Sequence, residues 1–502
     1  MFNDFGIESL KHFLFLTLDD DDKQSSAVPD KPQLPEEIAA APLFSVSVRS
    51  SLAKQYDQAD GDQLVFPQYA LLGHRKDTLA AGQVSLGSLV YSNTAAPWSA
   101  FICGSQGSGK SHSLSCLLEN CLLQNTPVGK VSAPLAGMVF HCDNFSAHSS
   151  SQICEAAYLC SAGIPVRVLV SPTNYLAMRN AYCNLPGLEN VAKRISVEPM
   201  YLPLKDLNVA MMKALMGLSD ETSPPLYMEV VMKILRQMAL DNQGRDTFDY
   251  KRFRKNLDAE SFLKGQNLPL QMRLDVLESF FEPGAVKPEK GPRRSSRTDE
   301  MWNFEPGTLT IVDLSCPFVG PNDACALFNI CTSLFLKDRH KTGRVLALDE
   351  AHKFLTETSP EAVTLTNTLL SVVRQQRHLA TRVLIATQEP TISPKLLDLC
   401  NLTMIHRFTS PAWFKSIKAH IAGACDKAEG HESTERDLFG KIVRLKTGEA
   451  LVFCPTALLE SSHSERTDGH EGPEVIPLGA GYAHLRVRKR VTADGGRSII
   501  TQ

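Results

Sequence analysis

The eight residues Gly104, Ser105, Gln106, Gly107, Ser108, Gly109, Lys110 and Ser111 constrain this chain more than any other stretch. They fit G-x-x-x-x-G-K-[ST], the spacing of a phosphate-binding loop. The glycines let successive backbone N–H groups turn inward around phosphate oxygens. Lys110 then reaches the β- and γ-phosphates, and the Ser111 hydroxyl is placed to ligate Mg²⁺. Such a loop works between a buried strand and the start of a helix. Ser99-Ala-Phe-Ile-Cys103 reads as the strand, and Ser113 to Leu123, with Leu114, Leu117 and Leu118, reads as the helix.

Apolar runs recur beyond that helix at Met138–Cys142, Val166–Val170, Thr308–Leu314, Val345–Leu348 and Val383–Ala386. They are continuous rather than alternating, which suits parallel strands buried on both faces. Helical patterns lie between several of them, at Cys325–Leu336 and around Leu369–Gln376. The alternation predicts an α/β fold of three layers around a mainly parallel sheet. Leu204 to Pro283 breaks the rhythm with amphipathic stretches (Val230, Ile234 and Leu235, then Leu274, Leu277 and Phe281) and reads as a helical insertion. Lys287–Arg297 reads as an exposed basic loop. Short alternating runs at Leu43–Arg49 and Gln63–Phe66 predict a small β-rich segment, and Ile442–Leu445, Ala450–Phe453 and His484–Val491 predict late strands. The expected organisation is therefore a disordered acidic, Pro-rich N-terminus over 1–41, a β-rich segment over 42–95, and a core in two parts, 96–203 and 301–502. The insertion and basic loop, 204–300, separate those parts.

The 502 residues are too many for one ordinary core, so two or more domains or one large elaborated domain are expected. A net charge of −3 excludes a polycation, so any nucleic-acid contact has to come from local patches. The 13 cysteines contain no C-x-x-C pair, which points to a reduced intracellular compartment rather than to a disulfide framework or a zinc site. No apolar run approaches membrane-spanning length. The apolar His12–Leu18 lacks a basic flank and precedes Asp19–Asp22, which makes it a poor signal peptide and a poor anchor.

Val345-Leu-Ala-Leu-Asp349-Glu350 is a buried strand with two carboxylates at its C-terminal end, the edge where α/β sheets bind ligands. Asp349 is the candidate to hold Mg²⁺ through water, and Glu350 the candidate to orient the attacking water. A solvated acidic turn is the plainer alternative, and the upstream loop weighs against it. Thr381–Gln388 is a second such strand. Gln388 there is either a sensor of the γ-phosphate and water or a strand-end cap. Arg374 and Arg377 precede it. Each is either an arginine finger acting across a subunit boundary or part of a solvated basic helix face. Asp143 and Asp313 stand at other strand ends, as edge or capping carboxylates. His141 and His352 read as structural, and His406 and Arg407 as subunit contacts at most. The basic stretches Arg293–Arg297 and Arg486–Arg490 read first as exposed loop or strand-face charge and only second as phosphate contacts.

Taken together, GSQGSGKS, Leu346–Phe354 (LALDEAHKF), Arg374–Thr391 (RQQRHLATRVLIATQEPT) and the helical insertion resemble the HerA/FtsK superfamily. Its members are RecA-like P-loop ATPases, typically ring-forming DNA translocases, and fungal P-loop proteins of this superfamily look similar too. The resemblance runs from Leu71 to Val491 and is most specific in the nucleotide motifs. It implies a Mg²⁺-dependent ATPase that binds ATP through Gly104–Ser111. Lys110, Glu350, Gln388 and Arg377 would serve catalysis, and Ser111 and Asp349 the metal. It further implies a homo-oligomer, with a hexameric ring as one form, and DNA as a partner; the apolar runs and the cysteines point to no membrane and to an intracellular setting, cytoplasmic or nuclear. Arg377-His378 stands where the family carries Arg-Lys, which favours Arg377 as the trans-acting residue. Thr447–Phe453 resembles the family's late Gly-Glu-Ala strand. The chain departs in three ways. Residues 42–95 are short for the family's N-terminal β-barrel, His378 replaces a lysine, and no DNA-facing loop is identifiable. Asp349–His352 also spells the box of a DEAH helicase, but Thr387-Gln388 stands where that class carries Ser-Ala-Thr. The competing functional reading is a nucleotide-gated scaffold or remodeller without translocation. The intact carboxylate pair weighs against it, because a pure binder does not need Glu350.

Overall fold

The computed structural model describes residues 34–56, 65–77, 85–143, 152–189, 194–215, 226–242, 248–260, 262, 264–284, 297–337, 342–356, 359–390, 392–421, 431–464 and 472–495. Its strands are β1 (Leu43–Ser45), β2 (Tyr69–Arg75), β3 (Leu89–Asn93), β4 (Ser99–Cys103), β5 (Gly129–Lys130), β6 (Ala136–His141), β7 (Val166–Val170) and β8 (Ile195–Pro199). There follow β9 (Leu309–Asp313), β10 (Arg344–Leu348), β11 (Thr381–Thr387), β12 (Leu402–Ile405), β13 (Glu449–Phe453), β14 (Leu458–Ser464), β15 (Gly472–Pro477) and β16 (Ala483–Val487). All join one sheet, ordered β15-β14-β1-β3-β2-β16-β13-β12-β4-β11-β10-β6-β9-β7-β8, with β5 added beside β2.

The sheet has two halves. From β12 to β8 every neighbouring pair is parallel, so the C-terminal ends of eight strands share one edge. From β12 towards β1 every pair is antiparallel. The strands of 42–95 pair with β14 and β16, which lie more than 350 positions away in the chain.

Alternation along the parallel strands divides the core into two layers, as the pleat requires. Phe101, Met138, Phe140, Leu346, Leu348, Val383 and Ile385 point to one face. There they meet the insertion helices α2 (Leu226–Asp241), α3 (Tyr250–Asp258) and α4 (Lys264–Ser279), together with α5 (Pro321–Lys337) and α6 (Pro360–Arg374). Ala100, Ile102, Val139, Val345, Ala347 and Leu384 point to the other face. They meet α1 (Lys110–Leu122), the 3₁₀ segment Glu155–Ala162 and the helix Tyr175–Cys183. The expected helix–sheet–helix layering and the helical insertion are both present.

Three local expectations need correction. Val46–Arg49 belongs to the helix Val46–Tyr56 rather than to a strand. Ile442–Arg444 ends the helix His431–Arg444, and Leu445 follows it without strand pairing. The alternation of Val46–Arg49 and the short apolar run of Ile442–Leu445 both also fit one face of a helix. Val65 and Phe66 form bends and pack with Phe44, Val48 and Leu458 in a small satellite core; Gln63 and Leu64 lie outside the described residues. So do 1–33 of the acidic N-terminus and 287–296 of the basic loop, while Glu36–Ala39 is a turn of helix. No described helix is long and apolar enough to cross a membrane.

Candidate nucleotide site

The phosphate loop bridges β4 and α1 at the shared C-terminal edge. Gly104 and Gly109 are required by space as well as by dihedral, and Gly107 by its φ of 70° alone. Gly104 has φ 154°, and a Cβ there would lie 2.6 Å from the His406 Cβ. Gly109 has φ 109°, and its Cβ would lie 2.9 Å from the Gly448 nitrogen. The loop is held from outside. The Ser105 N–H and hydroxyl both donate to the Arg407 carbonyl, at 2.9 and 2.8 Å, and the Gly448 N–H donates to the Ser108 carbonyl at 3.1 Å. Lys110 is buried and its ammonium donates to the Ser105 carbonyl at 3.3 Å. Burial lowers the pKa of Lys110, and the charges of Glu350 and then Asp349 work against that shift. The 13 residues of α1 add their N-terminal partial positive charge at the same point.

His406 forms the floor of this loop. One ring nitrogen, Nδ1, lies 2.9 Å from the Glu449 carbonyl, and the other, Nε2, lies 2.9 Å from the Ser113 hydroxyl. A carbonyl only accepts, so Nδ1 carries the proton and Nε2 accepts from Ser113. Burial drives the imidazole pKa down to about 4, which keeps the ring neutral. His406, Arg407 and Gly448 escaped sequence reasoning as loop supports. The only signal was the family-like Thr447–Phe453 strand.

The carboxylate strand β10 is separated from β4 by β11. That order sets Gln388, just past β11, between the phosphate loop and the acids. Its amide donates to Glu350 Oε1 at 2.8 Å. Glu350 is buried and sits in the left-handed region, φ 50° and ψ 45°, which costs a non-glycine residue about 1 kcal/mol. Its second oxygen, Oε2, has no hydrogen-bond partner among the described residues and lies 3.5 Å from His352 Nδ1. Burial also pulls the His352 pKa down.

Asp349 is buried beside His141 and Cys154. Its Oδ2 lies 3.6 Å from His141 Nδ1 and accepts from the Cys154 thiol at 3.9 Å. Burial alone lowers the His141 pKa, but the Asp313 and Asp349 carboxylates outweigh it and push the value up to about 9. Asp143 accepts from Lys353 at 3.1 Å, and Asp313 accepts from the Tyr182 hydroxyl at 2.5 Å. Both strand-end acids therefore line this edge with partners of their own. Ser111 and Asp349 suit a hard cation such as Mg²⁺: a hydroxyl at the helix start, and a buried carboxylate whose neighbour Glu350 keeps an unpartnered oxygen.

The arginines fall elsewhere. Arg377 is exposed and its guanidinium pairs with Glu36 at 3.2 Å; Arg374 is exposed at the end of α6. Both precede β11, whereas Gln388 follows it, and seven residues of strand span roughly 23 Å. Neither arginine reaches the loop of its own chain. Two members of the Arg486–Arg490 stretch are structural, while Arg486 and Lys489 are exposed: the Arg488 guanidinium bonds Glu119 at 2.7 Å and Asn120 at 2.8 Å on α1, and Arg490 pairs with Glu155. The segment after β16 thereby straps α1, and the Arg488 carbonyl accepts from His112 at 2.8 Å.

No protein-family model matches the chain, and no curated protein matches it. Among solved structures it is similar to VirB4 of Thermoanaerobacter pseudethanolicus, at 10% identity over 84% of this chain and 96% of that one, with a TM-score of 0.45. It is also similar to the genome packaging NTPase B204 from Sulfolobus turreted icosahedral virus 2 in complex with ATP-gammaS, at 15% identity over 33% of this chain and 68% of that one, with a TM-score of 0.22. The strand order, the phosphate loop and the carboxylate pair make this an α/β P-loop NTPase fold.

Proposed function

We propose that the protein is a Mg²⁺-dependent ATPase of HerA/FtsK type, working as a homo-oligomeric motor on nucleic acid. One observation carries the reading. A single sheet edge gathers a phosphate loop with Lys110 and Ser111, the Asp349–Glu350 pair, and Gln388 bonded to Glu350 at 2.8 Å. In this reading the loop amides and Lys110 bind the β- and γ-phosphates. Ser111 and Asp349 would hold Mg²⁺, which supplies charge neutralisation at the phosphates. Glu350 orients the attacking water, and Gln388 holds Glu350 until substrate arrives. An exposed arginine, Arg377 first, serves the site of a neighbouring copy.

The full chain should hydrolyse ATP in the presence of Mg²⁺, and Lys110→Ala should weaken nucleotide binding. ATP binding without turnover, with and without DNA, would instead favour a nucleotide-gated scaffold. DNA that stimulates turnover in a salt-sensitive way supports nucleic acid as the substrate, since phosphate contacts release counterions. Stimulation by no nucleic acid would move the assignment to a protein remodeller. Mixing Arg377→Ala chains with Glu350→Gln chains tests the arginine. Recovered turnover supports action in trans, and none in a proven oligomer opposes it.

A further inference from the structure

Hydrogen bonding accounts for only part of the His141–Cys154–Asp349 cluster: the Cys154 thiol donates to Asp349 Oδ2, but His141 Nδ1 stands off from the same oxygen. The donor atoms His141 Nδ1, Cys154 Sγ and Asp349 Oδ2 all lie within 4.8 Å of one another, and all three residues are buried. A charge-assisted hydrogen bond between a histidine and a carboxylate closes to about 2.8 Å. Here the gap is 3.6 Å, and among the described residues Nδ1 has no hydrogen-bond partner although His141 is only 1% exposed. The opposite ring nitrogen, Nε2, lies 3.0 Å from the Gln152 carbonyl, so it carries a proton. That is the outer-shell bond by which a metal-ligating imidazole is usually oriented. A tetrahedral ion with bonds of 2.0–2.3 Å holds its donor atoms roughly 3.3–3.8 Å apart. The observed 3.6 and 3.9 Å are close to those edges.

Cys154 is also held in place. Its backbone N–H donates to the Tyr182 hydroxyl at 3.0 Å, and that hydroxyl donates to Asp313. We propose that His141, Cys154 and Asp349 form a three-ligand site for a thiophilic divalent ion of the Zn²⁺ class, sharing Asp349 with the nucleotide edge. Three protein ligands leave a fourth position open, as in reactive rather than purely structural zinc sites. Cys154 and Asp349 are 195 positions apart, so no sequence spacing discloses the set.

The probe is Co²⁺, titrated into the full-length protein. The expected result is one equivalent bound with a thiolate-to-cobalt absorption band, displaced by Zn²⁺. Cys154→Ser should abolish the band, and His141→Ala should weaken Co²⁺ binding at least tenfold. ATP binding by each variant shows that it is folded. No band in the wild type, or a band that survives Cys154→Ser, overturns the site. This readout is independent of turnover. A second arm rests on the ATPase reading: Zn²⁺ should inhibit hydrolysis at saturating Mg²⁺, and Cys154→Ser should be at least tenfold less sensitive relative to its own metal-free rate. Equal sensitivity beside a normal cobalt band overturns the sharing of Asp349. Absence of turnover altogether counts against the ATPase reading and leaves the cobalt result standing.

Discussion

The two edges of the parallel half-sheet use charge in opposite ways. At the C-terminal edge Lys110, Asp349 and Glu350 are buried close together. At the N-terminal edge three arginines are spent on structure or left in solvent. Arg344 opens β10, stacks over Phe304 and Phe335 and donates to the Phe304 carbonyl at 3.1 Å. Arg167 donates to the carbonyls of Met301, Glu300 and Asn303. Arg377 stands 67% exposed. The lesson is that burial alone does not mark chemistry. Arg344 is as deeply buried as the carboxylates, yet it meets backbone and rings, while Glu350 meets the Gln388 amide and the charge of Lys110.

This contrast can be broken at either edge. The largest effect is expected from Glu350→Gln, which should cut turnover by about 10²–10⁴-fold while ATP affinity stays near wild type. Wild-type-like kcat in that variant would mean that the C-terminal edge is not catalytic. Arg344→Ala should cost about 2–3 kcal/mol in denaturant unfolding, because it strands the Phe304 carbonyl and empties the space between two rings. Its ATP affinity should change less than twofold, and a large change would erase the distinction between the edges.

His406 sharpens the comparison through pH. Its folded pKa, about 4, lies below the ordinary 6.5, so the unfolded chain takes up the proton first. The stability that comes from keeping this ring neutral is fully present above pH 6.5 and is lost as pH falls toward 4. Unfolding free energy should drop by roughly 2–3 kcal/mol between pH 7 and 4.5, and His406→Gln should flatten that slope. The carboxylate of Glu449 acts in a lower window. Burial raises its pKa, but Lys76 and the Lys446 N–H outweigh that and bring it to about 2, so its contribution fades only below pH 4.5. The smallest effect is expected from Arg377→Ala. The exposed pair with Glu36 should change stability by less than about 0.5 kcal/mol in the isolated chain. A larger loss would show that Arg377 supports its own fold.

The parallel half was the legible half. Val166–Val170 emerges with the bounds expected, because strands covered on both faces must be largely apolar. The loop, the carboxylate pair and Gln388 were legible for the same local reason: each sits within a few residues of such a strand. The antiparallel half was legible only in part: Ala450–Phe453 emerges as β13, and the strand expected over His484–Val491 ends at Val487 as β16. Leu458–Ser464 is largely polar and pairs with β15 and β1, so its strand state comes from partners rather than from its own pattern. His406 was set aside as a subunit contact, because nothing near residue 406 announces that Gly104 lies against it.

The external supports of the phosphate loop bear on how the molecule is made. Ser105 is bonded to Arg407, 302 positions downstream, and His112 to Arg488, 376 positions downstream. During synthesis the loop leaves the ribosome long before either support exists. A nascent or truncated chain therefore carries the motif without its floor or its strap. Competence to grip a nucleotide becomes a late checkpoint, passed only when distant segments have come home.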